Sequence, residues 1–415
     1  MKKSLMYLAA LSTVAFIVLS VNGCKKDDDP SNLQIATLMA GTINLNEATA
    51  PTNVPSATTI TATFNTNVDA TTATNANITL VRNYDNASIA LTFAVTTNTI
   101  VITPGEDLGN GALYKLTFTT GLKSTDGLAM TSPLERAFTT VGTFVPAGMI
   151  AYFDFNDNVN DQVGEFSPAA AGIIDLSYVA SRNPAAGNAG SFNGTTTLVE
   201  IPNGDVINNT NNFTISFWVN ADSTKHGQFV LGLAGWFGFQ FEIAGDYTSC
   251  KLAAQYDLGD GSSTSEDLWF NGDGKTGDNG GWQGWTFCKN LSTSGGVQGL
   301  LADKWAAVTC TYDAATKVGT MYINGEKMKA QDFNLWPDDD AKRNVTGLKY
   351  AGVAGNNHLA LGFIQDKNDP TITDGWADYN DPSNNHFKGQ LDDLRFYHKA
   401  LTETEIELMY NSEKP

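Results

Sequence analysis

The sequence is poor in the residues that build metal centres and redox sites. Its 415 residues include only four cysteines and four histidines. No Cys-x-x-Cys pair occurs, so the spacing that a zinc ribbon needs is absent. The histidines are scattered, at positions 226, 358, 386 and 398, without an evident serine or cysteine partner for nucleophilic catalysis. The pattern favours neither a zinc-ribbon domain nor a histidine-dependent hydrolase.

Positive charge is also scarce. The chain has 25 lysines and arginines against 44 aspartates and glutamates, which gives a formal net charge of −19 at pH 7. Such a chain repels nucleic-acid phosphates and anionic lipid head groups, so no nucleic-acid partner is expected. After residue 23, no apolar run reaches the length that a membrane-spanning helix needs.

Helical periodicity is nearly absent before residue 400. Short alternating runs bounded by Gly, Asn, Asp and Pro recur instead, which is typical of all-β sandwiches. In "TTITATFNTNVD" (58–69), for example, Ile60, Ala62 and Phe64 alternate with threonines. The length suggests two or three domains. We therefore predict an all-β protein built from more than one domain.

The first residues have the pattern of a secretory signal. Lys2 and Lys3 precede an apolar run, Leu5–Val21. The stretch "SVNGC" then places Gly23 before Cys24, which resembles the lipobox of bacterial lipoproteins. The resemblance implies that residues 1–23 are removed and that Cys24 is acylated, which would anchor the chain to a lipid bilayer.

Residues 24–30 are predicted to be a solvated tether, because the charged run "KKDDDP" cannot pack into a core. A lysine-plus-acidic run just after the lipid-bearing cysteine also resembles an export signal of some Gram-negative glycan degraders. That resemblance implies an outer-membrane lipoprotein exposed on the cell surface, with glycan-uptake proteins as partners. A plain flexible linker is the alternative.

Residues 31–143 resemble the bacterial Ig-like family. The stretch "NTIVITPGEDLGNGALYKLTFTTG" (98–121) predicts a strand, a Pro-Gly turn and a second strand, and "ERAFTT" (135–140) closes the unit. The resemblance implies a sandwich of about seven strands that serves as a spacer. Tyr114 stands where such sandwiches place a corner tyrosine bonded to nearby backbone. Residues 141–148 are predicted to be a linker.

Residues 149–411 resemble the laminin G-like, concanavalin A-like jelly-roll family, which implies two stacked antiparallel sheets. The segments that carry the resemblance, in the family's order, are "GMIAYFDFNDNVNDQVG" (148–164), "SFNGTTTLVEIPN" (191–203), "NNFTISFWVNAD" (211–222), "DKWAAVTCTYDAATKVGTMYINGEKM" (303–328) and "GQLDDLRFYHKALTETEIELMY" (389–410).

The chain is predicted to end in a strand and one short helix. Thr402 and Glu405 have the spacing of a capping box, and Leu401 and Ile406 that of a hydrophobic staple. An Asn-Gly pair at 324–325 predicts a tight hairpin turn.

A glycosidase active site is not predicted. Glycosidases of this fold carry Glu-x-Asp-x-x-Glu on one strand, and the nearest run, "QFEIAGD" (240–246), lacks the second glutamate. Asp392 and Asp393 are adjacent, and neighbouring strand residues point to opposite faces. The two carboxylates are therefore not expected to act on one bond.

A structural calcium ion is implied by the resemblance, because members of this fold often hold one Ca²⁺ between the first and last strands. Asp154 and Asp392 occupy suitable positions, and Ca²⁺ takes six to eight oxygen ligands. In the alternative, Asp392 accepts hydrogen bonds from backbone amides and Asp154 faces solvent.

Residues 244–301 depart from the family as an insertion rich in Gly, Asp and Ser, which predicts a loop. It contains Trp269, Trp282 and Trp285. Cys250 and Cys288 flank the same stretch, so a disulfide between them is expected, with Cys310 buried.

A second polar loop, 365–387, adds Trp376 and Tyr379. Aromatic side chains among polar loop residues suit sugar recognition, since a ring packs on the apolar face of a pyranose. In the alternative, the tryptophans fold inward and bury the insertion.

These observations predict a cell-surface lipoprotein that binds a glycan without cleaving it. Two other interpretations remain open at this point. One is a protein-binding adhesin, and the other is a glycoside hydrolase with a non-standard carboxylate pair.

Overall fold

The structure is a computed structural model that describes residues 32–276 and 284–415. Within these ranges the protein is nearly all β, with three α-helices. None of the helices in the described ranges is long and apolar enough to cross a membrane.

The N-terminal domain is a sandwich of two antiparallel sheets, in the orders β2-β1-β3-β7-β6 and β5-β4-β8-β9. Its strands are β1 (Ile35–Ala40), β2 (Ile43–Asn44), β3 (Ile60–Phe64), β4 (Ile78–Arg82), β5 (Ser88–Ile89), β6 (Leu91–Thr96), β7 (Thr99–Pro104), β8 (Leu113–Phe118) and β9 (Leu134–Thr139). In β3 the alternation is the predicted one, because Ile60, Ala62 and Phe64 are buried and the threonines between them are not.

Tyr114 forms the predicted tyrosine corner. Its ring is fully buried, and its hydroxyl accepts a hydrogen bond from the backbone N–H of Gly109 at 2.8 Å. The bond fixes the irregular stretch between β7 and β8 to the core.

Tyr114→Phe is expected to lower the free energy of unfolding by about 1 kcal/mol, because the Gly109 N–H loses its acceptor. Urea denaturation of the full chain measures the change. Tyr178→Phe is the control, since the Tyr178 ring is only partly buried. Equal stability of the Tyr114 variant and the wild type would contradict the role of the hydroxyl.

The C-terminal domain is a second, larger sandwich. Sheet I has the strand order β12-β13-β26-β15-β21-β22-β23-β20, with β10 paired to β26; sheet II has the order β11-β14-β25-β16-β17-β18-β19, with β24 paired to β18. The elements are β10 (Met149–Phe153), β11 (Ile173–Ile174), β12 (Ser177–Ala180), β13 (Asn188–Asn193), β14 (Leu198–Ile201), α1 (Gly204–Asn208), β15 (Phe213–Ala221), β16 (Gln228–Gly232), β17 (Phe239–Ile243), β18 (Cys250–Asp257), β19 (Ser263–Phe270), β20 (Trp285–Cys288), α2 (Gln298–Leu301), β21 (Trp305–Asp313), β22 (Val318–Ile323), β23 (Glu326–Asp332), β24 (Gly347–Leu348), β25 (Leu359–Leu361), β26 (Lys388–Tyr397) and α3 (Glu403–Glu413).

The core of this domain lies between the two sheets. Phe217 of sheet I meets Phe241 of sheet II edge to face, with ring centroids 5.2 Å apart. Phe213 and Phe239 also meet across the sheets, with ring centroids 5.4 Å apart and the ring planes tilted at 50°. Burial of these inward faces leaves the outer face of each sheet to carry polar residues or a second layer.

The prediction that residues 244–301 form a loop is wrong. Strands β18 and β19 lie inside this range and pair along their full length in sheet II. Leu252, Ala254 and Tyr256 point inward at alternate positions, and Gly259 and Gly261 take left-handed backbone angles in the turn. The Gly, Ser and Asp content belongs to that turn and to the stretch after β19, and it masked the alternation of the strands.

The predicted disulfide is also wrong, because Cys250, Cys288 and Cys310 are all free and buried. Cys250 faces the core, where its Sγ lies 3.8 Å from Met321 Sδ, whereas Cys288 Sγ contacts Asp273 Oδ1 at 3.6 Å. Burial raises the pKa of the Cys250 thiol to about 12, so the reactive thiolate is scarce at neutral pH.

Helix α3 begins with the predicted capping box. Thr402 Oγ1 accepts from the Glu405 N–H at 3.2 Å, and the Glu405 carboxylate accepts from the Thr402 N–H at 2.9 Å. The Asn324–Gly325 turn is also present, with φ angles of 56° and 75°.

The same helix joins the two domains. Leu401, Ile406 and Met409 belong to one apolar cluster with the core of the N-terminal sandwich. Phe144, in the stretch predicted to be a linker, is 1% exposed, and its N–H donates to Ser412 Oγ at 3.0 Å. The connection between the domains is therefore anchored to α3 at Phe144.

Candidate functional site

Three aromatic rings form a platform on the C-terminal domain. Trp236 stacks on Phe237, with centroids 5.6 Å apart and planes at 26°, and on Trp376 at 5.9 Å and 22°. Trp376 is 41% exposed, which is rare for a side chain of this size. We call Trp236, Phe237 and Trp376 the aromatic platform.

A strained turn after β16 positions Trp236. Ala234 and Gly235 both have positive φ angles, 50° and 56°, and such strain in a non-glycine residue persists only where the surroundings impose it. Gly235 donates its N–H to the carbonyl of Ile364 at 2.9 Å. The left-handed φ of Gly235 favours glycine, and a Cβ there would meet Ile372 Cδ1 at 2.5 Å, so a larger residue would require the Ile372 side chain to move.

Trp376 is held in place from inside that loop. The buried Gln365 amide donates from Nε2 to the carbonyls of Ile372 at 3.0 Å and Ala377 at 3.2 Å. The indole of Trp376 also rests against Phe229, with centroids 6.0 Å apart. A side chain fixed before binding loses little conformational entropy when a ligand arrives.

A polar groove of about 340 Å³ runs beside Trp236 on the outer face of sheet II. Lys251 is at its centre, with Nζ 2.8 Å from Asp267 Oδ2 and 3.4 Å from Glu242 Oε1. Gln240 donates to Glu242 at 2.6 Å. The groove is lined by Trp236, Lys251, Ala253, Ser265, Glu266, Asp267 and Lys342.

The charges of the groove are paired. Burial lowers the pKa of Lys251, but the carboxylates of Glu242 and Asp267 more than offset this, so its pKa is raised. Burial raises the pKa of Glu242, against the opposing effect of Lys251. Lys342 Nζ contacts the Glu266 carboxylate. Both lysines of the groove are thus neutralised by carboxylates.

The three tryptophans of the insertion, which were predicted to bind a ligand, differ in their positions. Trp269 is half-buried and is the cross-strand partner of Lys251, so it extends the groove face along β19. Trp285 is 2% exposed, with Lys329 Nζ 3.3 Å from its ring centroid. The inward-folding alternative is therefore correct for Trp285. Trp282 lies outside the described residues.

Tyr379 is half-buried, and its hydroxyl donates to the carbonyl of Thr196, so it fastens the 365–387 loop. Sequence reasoning missed Trp236, Lys251 and Asp267. The available signal was the glycine-flanked aromatic pair in "GLAGWFGFQ" (232–240), which lies between two strands.

Family models match both halves of the chain. The model of the bacterial Ig-like domain matches residues 43–140, and that of the concanavalin A-like lectin/glucanases superfamily matches residues 193–367. The protein joins an Ig-like domain to a concanavalin A-like domain. The predicted fold class and the order of the two domains are confirmed.

The solved structures that match this chain do so at low sequence identity and with low TM-scores. One is domain 4 of AbnA, an extracellular GH43 arabinanase from Geobacillus stearothermophilus, in complex with arabinotriose; it is 18% identical over 63% of this chain and 98% of its own, with a TM-score of 0.37. Another is the binding domain of Paraclostridial Mosquitocidal Protein 1, at 14% identity, 64% and 52% coverage and a TM-score of 0.40.

A third is the binding domain of botulinum neurotoxin DC in complex with SialylT, at 12% identity, 64% and 51% coverage and a TM-score of 0.39. The chain spans about half the length of the last two structures. A comparison with curated proteins finds no match. The two family matches, and not these distant structures, identify the domains.

Asp392 and Asp393 of the concanavalin A-like domain point to the same side of β26. The prediction that these neighbours point to opposite faces is therefore wrong. The register of β15 and β26 shifts between Ser216 and Trp218, and Asp393 has a φ of 48°. This β-bulge inserts one residue and turns Asp393 to the side of Asp392. Arg182 then binds both carboxylates, from Nη1 to Asp392 at 2.6 Å and from Nη2 to Asp393 at 2.5 Å.

The pair belongs to a buried ionic cluster of Arg182, Asp392, Asp393, Arg395 and Glu413, which we call the Arg182 cluster. Arg395 contacts Glu413 at 2.8 Å and Asp393 at 3.1 Å. The side chain of Arg182 is 3% exposed. The cluster ties β26 to the last turn of α3, and these contacts give the aspartates a structural role.

Three carboxylates face two guanidiniums in this cluster, so one retained proton makes it neutral. Burial, reinforced by the charge of Asp393, raises the pKa of Asp392 to about 8. Burial alone would raise the pKa of Asp393 too, but Arg395 and Arg182 more than offset it, so its pKa is lowered.

The raised pKa predicts a pH dependence of stability. Between the ordinary range of an aspartate and about pH 8, only the folded state holds the Asp392 proton, so its contribution is lost as the pH rises. In Asp392→Asn, the decline of the free energy of unfolding from about pH 5 to about pH 9 should be shallower than in the wild type. Urea denaturation across that range would refute the assignment if the two slopes are equal.

The predicted calcium ligands lie in separate hydrogen-bond networks. Asp154 accepts from Asn156 Nδ2 at 3.1 Å and from Gln162 Nε2 at 3.4 Å. Asp392 is bound by Arg182 and by the hydroxyl of Ser181. In residues 32–276 and 284–415, no three or more His, Cys, Asp or Glu side chains are grouped for a metal ion. Calcium at Asp154 and Asp392 stays a prediction.

Proposed function

We propose that the protein captures a glycan, without cleaving it, on the aromatic platform and the groove of the concanavalin A-like domain. The observation that carries the proposal is the exposed ring of Trp376 stacked on Trp236, beside a groove lined by lysines, carboxylates and a serine. An indole face packs on the C–H face of a sugar, and carboxylate, hydroxyl and ammonium groups form hydrogen bonds with its hydroxyls.

The charge balance of the groove favours an uncharged glycan. Lys251 and Lys342 are each engaged by carboxylates, and the carboxylates of Glu242, Glu266 and Asp267 outnumber them. A uronate or sulfate ester would therefore meet repulsion without a cation to offset it. Neutral sugars avoid this cost.

Hydrolysis is the second candidate, because Glu242 and Asp267 lie on one face and Glu242 has a raised pKa. A general acid must hold a proton against the scissile bond. Lys251 contacts both carboxylates, so each is engaged in an ion pair and is not free to act on a glycosidic bond, which supports binding over cleavage.

The proposal extends to a surface lipoprotein anchored through Cys24, with the Ig-like domain as a spacer and outer-membrane glycan-uptake proteins as partners. Its support is the Gly23–Cys24 sequence and the acidic run behind it. Cys24 lies outside the described residues. Protein adhesion is the remaining alternative.

The test is a screen of the full mature chain against neutral, uronate-containing and sulfated glycans, followed by mass analysis of every glycan bound. Binding of intact neutral glycans is the expected result. Shortened products would replace capture by hydrolysis. Preference for sulfated glycans would overturn the charge argument, and no glycan binding at all would favour the adhesin.

A further inference from the structure

The 365–387 loop contains two buried carboxylates whose charge is poorly compensated. Asp366 is 6% exposed and Asp369 is 7% exposed. Asp366 Oδ2 lies 3.0 Å from His358 Nδ1, and its Oδ1 accepts from the N–H of Asn368 at 2.7 Å. Within the described part of the chain, neither carboxylate has a lysine or arginine partner.

Asp369 is the more unusual of the two. Its Oδ1 accepts from the N–H of Thr371 at 2.8 Å, but its Oδ2 is buried without a hydrogen-bond partner in the described residues. Burial raises the pKa of the Asp369 carboxyl, and the nearby charge of Asp366 adds to the effect. Such an orphaned oxygen in a folded protein calls for an explanation, and an ion is a common one.

We propose that this loop binds a divalent cation, Ca²⁺, through the carboxylates of Asp366 and Asp369. A hard dication neutralises two carboxylates at once and takes the free Oδ2 as a ligand. Backbone carbonyls of the loop and water would supply the remaining oxygens, which is why few ligating side chains are needed. Mg²⁺ fits less well, because it demands a near-ideal octahedron and a loop supplies a looser shell.

The site lies in the segment that carries Trp376. Gln365, next to Asp366, donates to the carbonyls of Ile372 and Ala377, and Trp376 lies between these two residues in the sequence. A cation bound by Asp366 and Asp369 would therefore stabilise the start of the loop that carries Trp376. Any effect on sugar binding rests on the proposed function, whereas cation binding does not.

The test is thermal unfolding and titration calorimetry of the full chain, first stripped with a chelator and then supplied with Ca²⁺ or Mg²⁺. We expect Ca²⁺ at about a hundredfold above its Kd to raise Tm by about 5 °C. Mg²⁺ should raise it less.

Asp369→Asn should abolish the Ca²⁺ shift. In chelator the same variant should melt above the wild type, because a buried charge is removed, so failure to fold cannot mimic the expected result. Asp381→Asn is the control, since Asp381 belongs to the same loop but is exposed and accepts from the N–H of Ser383 at 2.9 Å. It should keep the full shift.

Three results would overturn the site: no Ca²⁺ shift in the wild type, an equal shift in Asp369→Asn, or a shift abolished only by Asp154→Asn. Glycan binding measured separately in chelator distinguishes the two proposals. Ca²⁺ binding without any glycan binding keeps the cation site and removes the proposed function.

Discussion

Replacing Arg182 with methionine is expected to lower the free energy of unfolding by about 3–5 kcal/mol, because it leaves buried carboxylates without their cation. Arg182 contacts Asp392, Asp393 and Glu413, and its guanidinium also lies 4.5 Å from the Trp218 ring centroid. Methionine keeps much of the side-chain volume, so the loss measures charge more than packing. Urea denaturation of the full chain gives the value.

Two further variants sharpen the test of the Arg182 cluster. Arg82→Met removes a partly exposed ion pair with Asp85 and should cost less than about 1 kcal/mol. Adding Asp392→Asn and Asp393→Asn to Arg182→Met should recover part of the stability, since the uncompensated charges are removed as well. A loss below about 1 kcal/mol in Arg182→Met would show that the cluster does not depend on this cation.

Trp376→Ala and Trp236→Ala are each expected to weaken glycan binding by about 10–100-fold while the fold persists. Trp376 is 41% exposed and Trp236 is partly exposed, so their removal takes contact area from the ligand more than from the core. Calorimetric titration with the glycan identified in the screen measures the loss, and Tm verifies the fold.

Phe287→Ala is the matched control for these variants, because Phe287 is a 39% exposed aromatic on β20 of sheet I, away from the platform. It should bind like the wild type. Trp285→Ala should instead lose about 3–5 kcal/mol of stability, since its ring is buried. If both platform variants bind normally and Trp269→Ala does not, the site lies at the other end of the groove.

The sandwich architecture was predictable because the alternation of apolar and polar residues is visible within each short segment. The order of these segments along the chain then matched that of the two families. The alternation at Ile60, Ala62 and Phe64 and the Tyr114 corner required only local patterns. Strands β18 and β19 escaped because their turn and flanks are rich in glycine and aspartate. Composition averaged over a whole insertion hides an alternation that occupies only part of it.

The site was less predictable because it depends on contacts between distant segments. Trp236 and Trp376 are far apart in the sequence, and only the fold of the domain brings their rings into contact. The shared direction of Asp392 and Asp393 depends on one residue in a left-handed conformation, Asp393. The rule that neighbours on a strand point to opposite faces fails at such a bulge.

The packing of α3 between the two domains has a mechanical consequence. Phe144, in the predicted linker, is bonded to Ser412 of α3, and Leu401, Ile406 and Met409 reach the Ig-like core. A load applied to the concanavalin A-like domain would pass to the Ig-like domain without first extending a loose segment. The two domains would then move as one rigid unit, and the direction of an applied force would be preserved from one domain to the other.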